Sequence, residues 1–250
     1  MRILGYVFVV LLLVSCNGES IPDCFQNAGE IVRKEIEVSD FSKITVFEKI
    51  ELVLKEDAAF KIEVETGEFL HDEVQVLVED GRLILKNENG CNLFRDYRLT
   101  KIYVSAPNIT EIRSSTGLPI SSDGVLAYPN LKLISESFNN PETETTDGKF
   151  NLDVMASNID IVVNGIAYFK LRGEVQNFNV TVAAGDSRIE TQELSAQEVI
   201  INHRGSNDIL VNPQQRISGV IKGTGNVVSY NRPTEIAVDE LYKGKLIFRD

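Results

Sequence analysis

The sequence has no tryptophan, only two histidines and only three cysteines among 250 residues. Without tryptophan it lacks the best sugar-stacking side chain. With only His71 and His203 it has few groups that titrate near neutrality for acid–base chemistry. There is no H-E-x-x-H pair and no nucleophile elbow, so zinc-protease and α/β-hydrolase chemistry find no support. Positive charge is scarce too: 25 Lys and Arg stand against 37 Asp and Glu, for a net charge of −12. Such a surface repels phosphate backbones and excludes nucleic acid as a partner. The simplest reading of the acidity is a solvated surface. Long apolar stretches with a 3.6-residue period are missing, so little or no helix is expected beyond the first residues. Neither a metal site nor a cofactor site is expected.

What is present begins with Met1 and Arg2, followed by an uncharged run from Ile3 to Ser15. The run falls short of the ~20 residues that span a bilayer as a helix, and it fits the apolar core of a signal peptide. It ends Leu13, Val14, Ser15, Cys16, which resembles the lipobox of bacterial lipoproteins. That resemblance implies acylation at Cys16 and a lasting membrane anchor, because each buried CH₂ contributes ~0.8 kcal/mol. The other reading is an ordinary signal peptide with a chance cysteine. With Cys16 consumed, Cys24 and Cys91 form an even pair in an oxidising compartment. A disulfide between them would contribute about 4 kcal/mol in the chain-entropy model, and two free buried thiols are the alternative. The expected division is a lipoprotein signal peptide over 1–15, a tether over 16–30 and a single domain over 31–250. That domain has a less regular half, 31–104, and a repeat half, 105–250.

From Ile31 to Val104 polar and apolar residues alternate in short runs such as Lys43–Val46, Glu51–Leu54 and Lys61–Val64. This is the period-2 pattern of half-buried strands, separated by turn residues such as Asp80 and Gly81. Between Ser135 and Lys149 the composition turns polar, which predicts a protruding loop. Further on, one pattern returns: Gly185 to Ile189, Gly205 to Ile209 and Gly223 to Val227, with a weaker copy from Tyr242 to Leu246. A repeat of that period predicts a solenoid, an all-β stack of coils of about 14–20 residues.

Gly185, Gly205, Gly223 and Gly225 are expected to be the structural corners of those coils. At Gly205 and Gly223 a Cβ would be costly through left-handed backbone strain wherever φ is positive. Asp186, Asn207, Asp208 and Asn226 line equivalent corners. They form turns through side-chain-to-backbone hydrogen bonds, or alternatively offer oxygens to Ca²⁺. His203 sits beside a corner and reads as a surface or corner-capping residue rather than a ligand or catalytic base. Tyr97, Tyr103, Tyr128, Tyr168, Tyr230 and Tyr242 either stack within the scaffold or meet a sugar.

The order of Cys16, Asp23-Cys24-Phe25, Phe41 to Val46, Asp80 to Ile84, Cys91-Asn92 and the Gly223 to Asn226 corner before Tyr230 and Pro233 resembles the head GIN domain family. Its members are autotransporter-adhesin-like proteins, especially lipoproteins of Bacteroidetes. The resemblance implies a right-handed parallel β-solenoid (β-helix). It also implies a non-enzymatic, adhesin-like scaffold anchored in the outer membrane through Cys16, on the periplasmic face or the cell surface. The partner would be a glycan or an envelope or surface protein. The alternative is a carbohydrate-active enzyme, a polysaccharide lyase or hydrolase, on the same fold.

Cys16→Ala should abolish incorporation of an alkyne fatty acid when the full chain is expressed in a bacterium. Label that persists in this variant would contradict acylation at Cys16.

Overall fold

The computed structural model describes residues 27–90 and 99–249. Cys16, Cys24, Cys91 and Tyr97, with the expected signal peptide and most of the tether, lie outside the described residues. The described residues are all-β: 63% of them are strand, and they include one helical segment, a 3-10 turn at Glu68–Glu73. No helix among the described residues is long and apolar enough to cross a membrane.

The first half contributes β1 (Ile31–Ile36), β2 (Lys43–Val46), β3 (Glu51–Glu56), β4 (Lys61–Gly67), β5 (Val74–Glu79), β6 (Arg82–Asn87) and β7 (Lys101–Ala106). The second half begins with β8 (Glu111–Ser114), β9 (Pro119–Leu126) and β10 (Asn130–Ser135). The long strands β11 (Lys149–Gly165), β12 (Tyr168–Gly185), β13 (Arg188–His203) and β14 (Ile209–Ile221) follow. Short strands β15 (Val227–Ser229), β16 (Glu235–Glu240) and β17 (Leu246–Phe248) complete the chain.

All of these join one 17-stranded sheet. The expected right-handed parallel β-solenoid is corrected on this point: strand orientation is mixed, and the sheet curls into a nearly closed barrel. β4 lies antiparallel to both β1 and β7, and β5 lies antiparallel to β6. The physical reason is local. Asp80 and Gly81 both take positive φ, 48° and 72°, the signature of a two-residue hairpin turn that reverses the chain. A winding with every strand parallel cannot pass through such a reversal.

The period of the second half is real as a pairing offset. Lys149 pairs with Tyr168, and Tyr168 with Arg188. Likewise Ile189 pairs with Ile209, Ile209 with Val227 and Val227 with Leu246, all in parallel register. Parallel register places like residues above one another. Ile120, Phe150, Phe169, Ile189, Ile209 and Val227 therefore form one buried column. Within it the Phe150 and Phe169 rings stack at 4.6 Å and 6°. A buried aromatic ring contributes roughly 1.5–3 kcal/mol by transfer alone.

Close rung spacing governs the corners. Gly185 has φ of 90°, and a Cβ there would also collide with the Gly165 carbonyl oxygen. Gly205, Gly223 and Gly225 do not have positive φ, so left-handed strain is not what selects glycine at these positions. Contact between rungs is. A Cβ at Gly223 would meet Gly205 O, one at Gly225 would meet Asn207 O, and one at Gly205 would sit 2.8 Å from Val182 Cγ1. Gly223→Ala must therefore push two backbones apart, at a cost of about 1–3 kcal/mol. Urea unfolding should show a lower midpoint, and an unchanged midpoint would contradict the close-contact explanation.

Candidate functional site

Strands β6, β2 and β8 are parallel neighbours, paired through Lys43 with Arg82 and with Glu111. Their C-terminal ends open into a cleft of about 410 Å³. Phe47, Glu48 and Lys49 follow β2, while Lys86 and Asn87 end β6 and Glu88 follows it. Ser115 follows β8, and Glu142 and Glu144 form the facing wall, on the loop between β10 and β11. A second recess of about 280 Å³ shares Phe47, Lys86 and Glu142 and adds Thr45, Leu77, Arg82 and Asn140.

The facing wall is the polar stretch from Ser135 to Lys149, and it is anchored. Arg113, within β8, donates to Glu136 Oε1 at 2.7 Å and to its carbonyl at 3.3 Å. Glu136 is 1% exposed, and its other oxygen accepts the Asn139 N–H at 3.0 Å. Thr143 Oγ1 donates to the Glu136 and Asn140 carbonyls. Ser115 Oγ and Thr145 Oγ1 share a hydrogen bond of 3.2 Å. Burial alone would push the Glu136 carboxyl up. The Asn139 N–H, the Arg113 guanidinium and the Phe138 N–H outweigh it and hold the group below the usual carboxylate range.

Inside the cleft, Lys86 Nζ lies 4.9 Å from the centre of the Phe47 ring, a cation–π contact. Lys49 Nζ is drawn to the Asn89 carbonyl at 2.8 Å. Asn87 Nδ2 donates to Thr100 Oγ1 at 3.0 Å. Glu48, Glu88, Glu142 and Glu144 make no ion pair among the described residues. The arrangement combines an aromatic face with fixed cations and free carboxylate acceptors. It is suited to holding a polar ligand that carries many hydroxyl or amide groups.

A third recess, of about 560 Å³, runs past the corners Gly165, Gly185, Gly205 and Gly223. Arg204 and Lys222 line it, with Asp186, Ser206, Thr224, Ile166 and Tyr242.

The corner side chains highlighted by the repeat bond to one another. Ser206 Oγ donates to Asp186 Oδ1 at 2.7 Å, and Asp208 Oδ1 accepts from the Asn226 backbone at 2.8 Å and from its side chain at 3.1 Å. Asn207 Nδ2 reaches the Asp186 carbonyl at 3.4 Å. These bonds tie neighbouring rungs together, and no group of three or more His, Cys, Asp or Glu that could hold a metal occurs among the described residues. His203 is fully buried in the column between Val182 and Ile221. Its Nδ1 accepts the Gly205 N–H at 3.3 Å, and burial pulls its pKa down. His71 lies in the 3-10 turn and is also lowered by burial. Neither histidine lines any of these recesses.

Among the tyrosines, Tyr128 is buried and donates to the Ala106 carbonyl. Tyr168 donates to Glu190 at 2.6 Å, and burial together with that bond pushes it up to about 12. Tyr103 packs under Arg33 at 3.7 Å, while Tyr230 and Tyr242 are exposed. Phe47, Lys86, Glu142 and the Arg113–Glu136 pair went unmarked in the sequence reading. The available signals were an arginine within a strand and an aromatic directly after Lys43–Val46.

These features define an all-β protein with open recesses built on its strands. The family model described as "Putative auto-transporter adhesin, head GIN domain" matches residues 40–233. The chain belongs to that family. Its fold resembles a "putative adhesin" from Bacteroides fragilis, with a TM-score of 0.73 at 18% identity over 88% of this chain and 97% of the other. It also resembles a "putative adhesin" from Parabacteroides merdae, with a TM-score of 0.62, 13% identity and 89% and 97% coverage. A "putative lipid binding protein" from Parabacteroides distasonis gives 0.61, 17%, 89% and 98%. At these identities the likeness concerns the fold. No curated protein matches the sequence. Membership points to an extracellular or envelope protein that binds a surface ligand.

Glu136 releases its proton more readily folded than unfolded, so its stabilising contribution is complete above the ordinary carboxylate range. It is lost as pH falls through the lowered folded value. Glu136→Gln leaves Arg113 without its charge partner and should cost about 3 kcal/mol at pH 7. It should also flatten the acid limb of the stability–pH curve. An acid limb identical to that of the parent protein would contradict the role given to this carboxylate.

Proposed function

We propose that this protein is a non-enzymatic, adhesin-like binding protein of the cell envelope that holds a glycan or an envelope or surface protein in the cleft beside Phe47. The observation that carries the proposal is the wall itself. A loop rich in polar residues is fastened by a buried ion pair so that Glu142 and Glu144 face Phe47 and Lys86 across a defined space. A binding surface fixed before its ligand arrives avoids the ordering cost of a mobile one.

Anchoring through Cys16 belongs to the same proposal. The domain over 31–250 would stand on a short tether, 16–30, after removal of residues 1–15, at the outer membrane. A Cys24–Cys91 disulfide would tie that tether to the first half of the sheet. The non-enzymatic reading is supported by the burial of both histidines away from the cleft. The lipid-binding description of the Parabacteroides distasonis protein is not carried over, because four carboxylates around the cleft do not suit an acyl chain.

Screening the full chain against glycans and envelope extracts tests the reading. Phe47→Ala should weaken the best ligand by about tenfold, as expected for loss of an aromatic anchor at the centre of a contact. Unchanged affinity in Phe47→Ala, or release of new reducing ends from a bound glycan, would contradict it.

A further inference from the structure

The recess along the glycine corners has no part in the cleft beside Phe47, and its chemistry is of the opposite sign. The corners stack one per rung from Gly165 to Gly185, Gly205 and Gly223, joined by hydrogen bonds from Asp186 N to Gly165 O, Ser206 N to Gly185 O and Thr224 N to Gly205 O. At ~4.8 Å per rung the recess extends about 19 Å from Ile166 to Tyr242. Arg204 and Lys222 stand on adjacent rungs of one wall, since Arg204 N bonds Val182 O and Lys222 N bonds His203 O one rung on. Both are exposed. Neither makes an ion pair or a side-chain hydrogen bond among the described residues.

The single carboxylate lining the recess, Asp186, is occupied by Ser206 Oγ at 2.7 Å. Ser206 and Thr224 add side-chain hydroxyls to the lining. Ile166 at one end is 67% exposed, and Tyr242 at the other is 56% exposed. Lys243 Nζ lies 5.8 Å from the Tyr242 ring centre and adds a third cation there.

We propose that this recess binds a short segment of an anionic polysaccharide, with Arg204 and Lys222 receiving its carboxylate or sulfate groups and Tyr242 carrying a sugar ring. The cations, rather than the glycines, select the ligand. The glycine backbone only keeps the floor open. A guanidinium and an ammonium on neighbouring rungs meet anionic groups that recur along an extended chain. The hydroxyls and the aromatic ring suit the sugar between them. A densely charged nucleic acid would overrun the recess onto acidic surface, and the vesicle arm of the test below separates a polysaccharide from an anionic membrane.

The full chain is titrated with oligogalacturonate, a heparin oligosaccharide and a neutral maltooligosaccharide of matched length, and with vesicles containing anionic phospholipid. Either or both anionic oligosaccharides should bind, more weakly as salt rises, and the neutral one should not. The oligogalacturonate and heparin arms separate carboxylate from sulfate recognition. Arg204→Ser with Lys222→Ser should weaken binding by about tenfold, the loss of two charge-assisted contacts. Lys34→Ser with Lys132→Ser removes the same charge elsewhere and should change little. All four cationic positions are exposed, and a matching thermal unfolding curve checks that each variant is folded. Equal losses in the two double variants would overturn the proposal. So would vesicle binding without oligosaccharide binding, or no binding of either anionic oligosaccharide.

Discussion

Parallel backbone pairing in fixed register between successive rungs is the constraint on which the second half of the molecule rests. Once Lys149 lies over Tyr168 and Tyr168 over Arg188, every side chain sits above its equivalent one period earlier. Apolar residues then build continuous columns, and the stacked rings of Phe150 and Phe169 are one result. Amides do the same outside. Asn158 donates to Asn130 at 2.6 Å and Asn177 donates to Asn158 at 2.9 Å, each along the ladder. Such amide ladders suit parallel, in-register strands. Charges alternate where register would otherwise oppose like signs, as with Lys170 beside Glu190. At the corners the same spacing leaves no volume for a Cβ.

The first half answers to a different constraint. The hairpin at Asp80 and Gly81 and the antiparallel placement of β4 break the uniform winding. β2 and β3 nonetheless pair in parallel with β8 and β9, so both halves share one sheet. The Phe47 cleft forms at that seam. Its floor comes from strand ends of the first half, and its wall comes from the loop that leaves the second. Arg113 and Glu136 bridge β8 to that loop, and this pair gives an irregular polar segment a defined position.

Much of the strand content was readable residue by residue. Lys43–Val46 is a strand with the bounds that alternation suggests, and Glu51, Lys61 and Lys101 each open a strand. Gly185, Gly205 and Gly223 recur where neighbouring rungs come too close for a Cβ, and such contact leaves its trace in the residue type. Orientation was not readable in the same way. Whether β4 meets β7 parallel or antiparallel depends on partners far apart in the chain, and alternation is the same in both cases. The period of 183–248 does not hold over the antiparallel strands β4, β5 and β6. The cleft was hidden for a related reason. Arg113 and Glu136 are 23 residues apart, and each looks like an ordinary surface charge until the fold buries both. His203 had the opposite fate: a residue that invites a chemical role fills an aliphatic column.

A cleft prepared in advance on a rigid sheet is the central claim, and amide hydrogen exchange of the free full chain tests it most directly. The Asn139, Thr143, Thr145 and Gly148 amides, each bonded within the wall or to its anchors, should exchange far more slowly than a free loop. In Glu136→Gln they should lose that protection while the amides of Phe150 to Val163 keep theirs. Wall amides that exchange at free-peptide rates in the parent protein would contradict a preformed cleft.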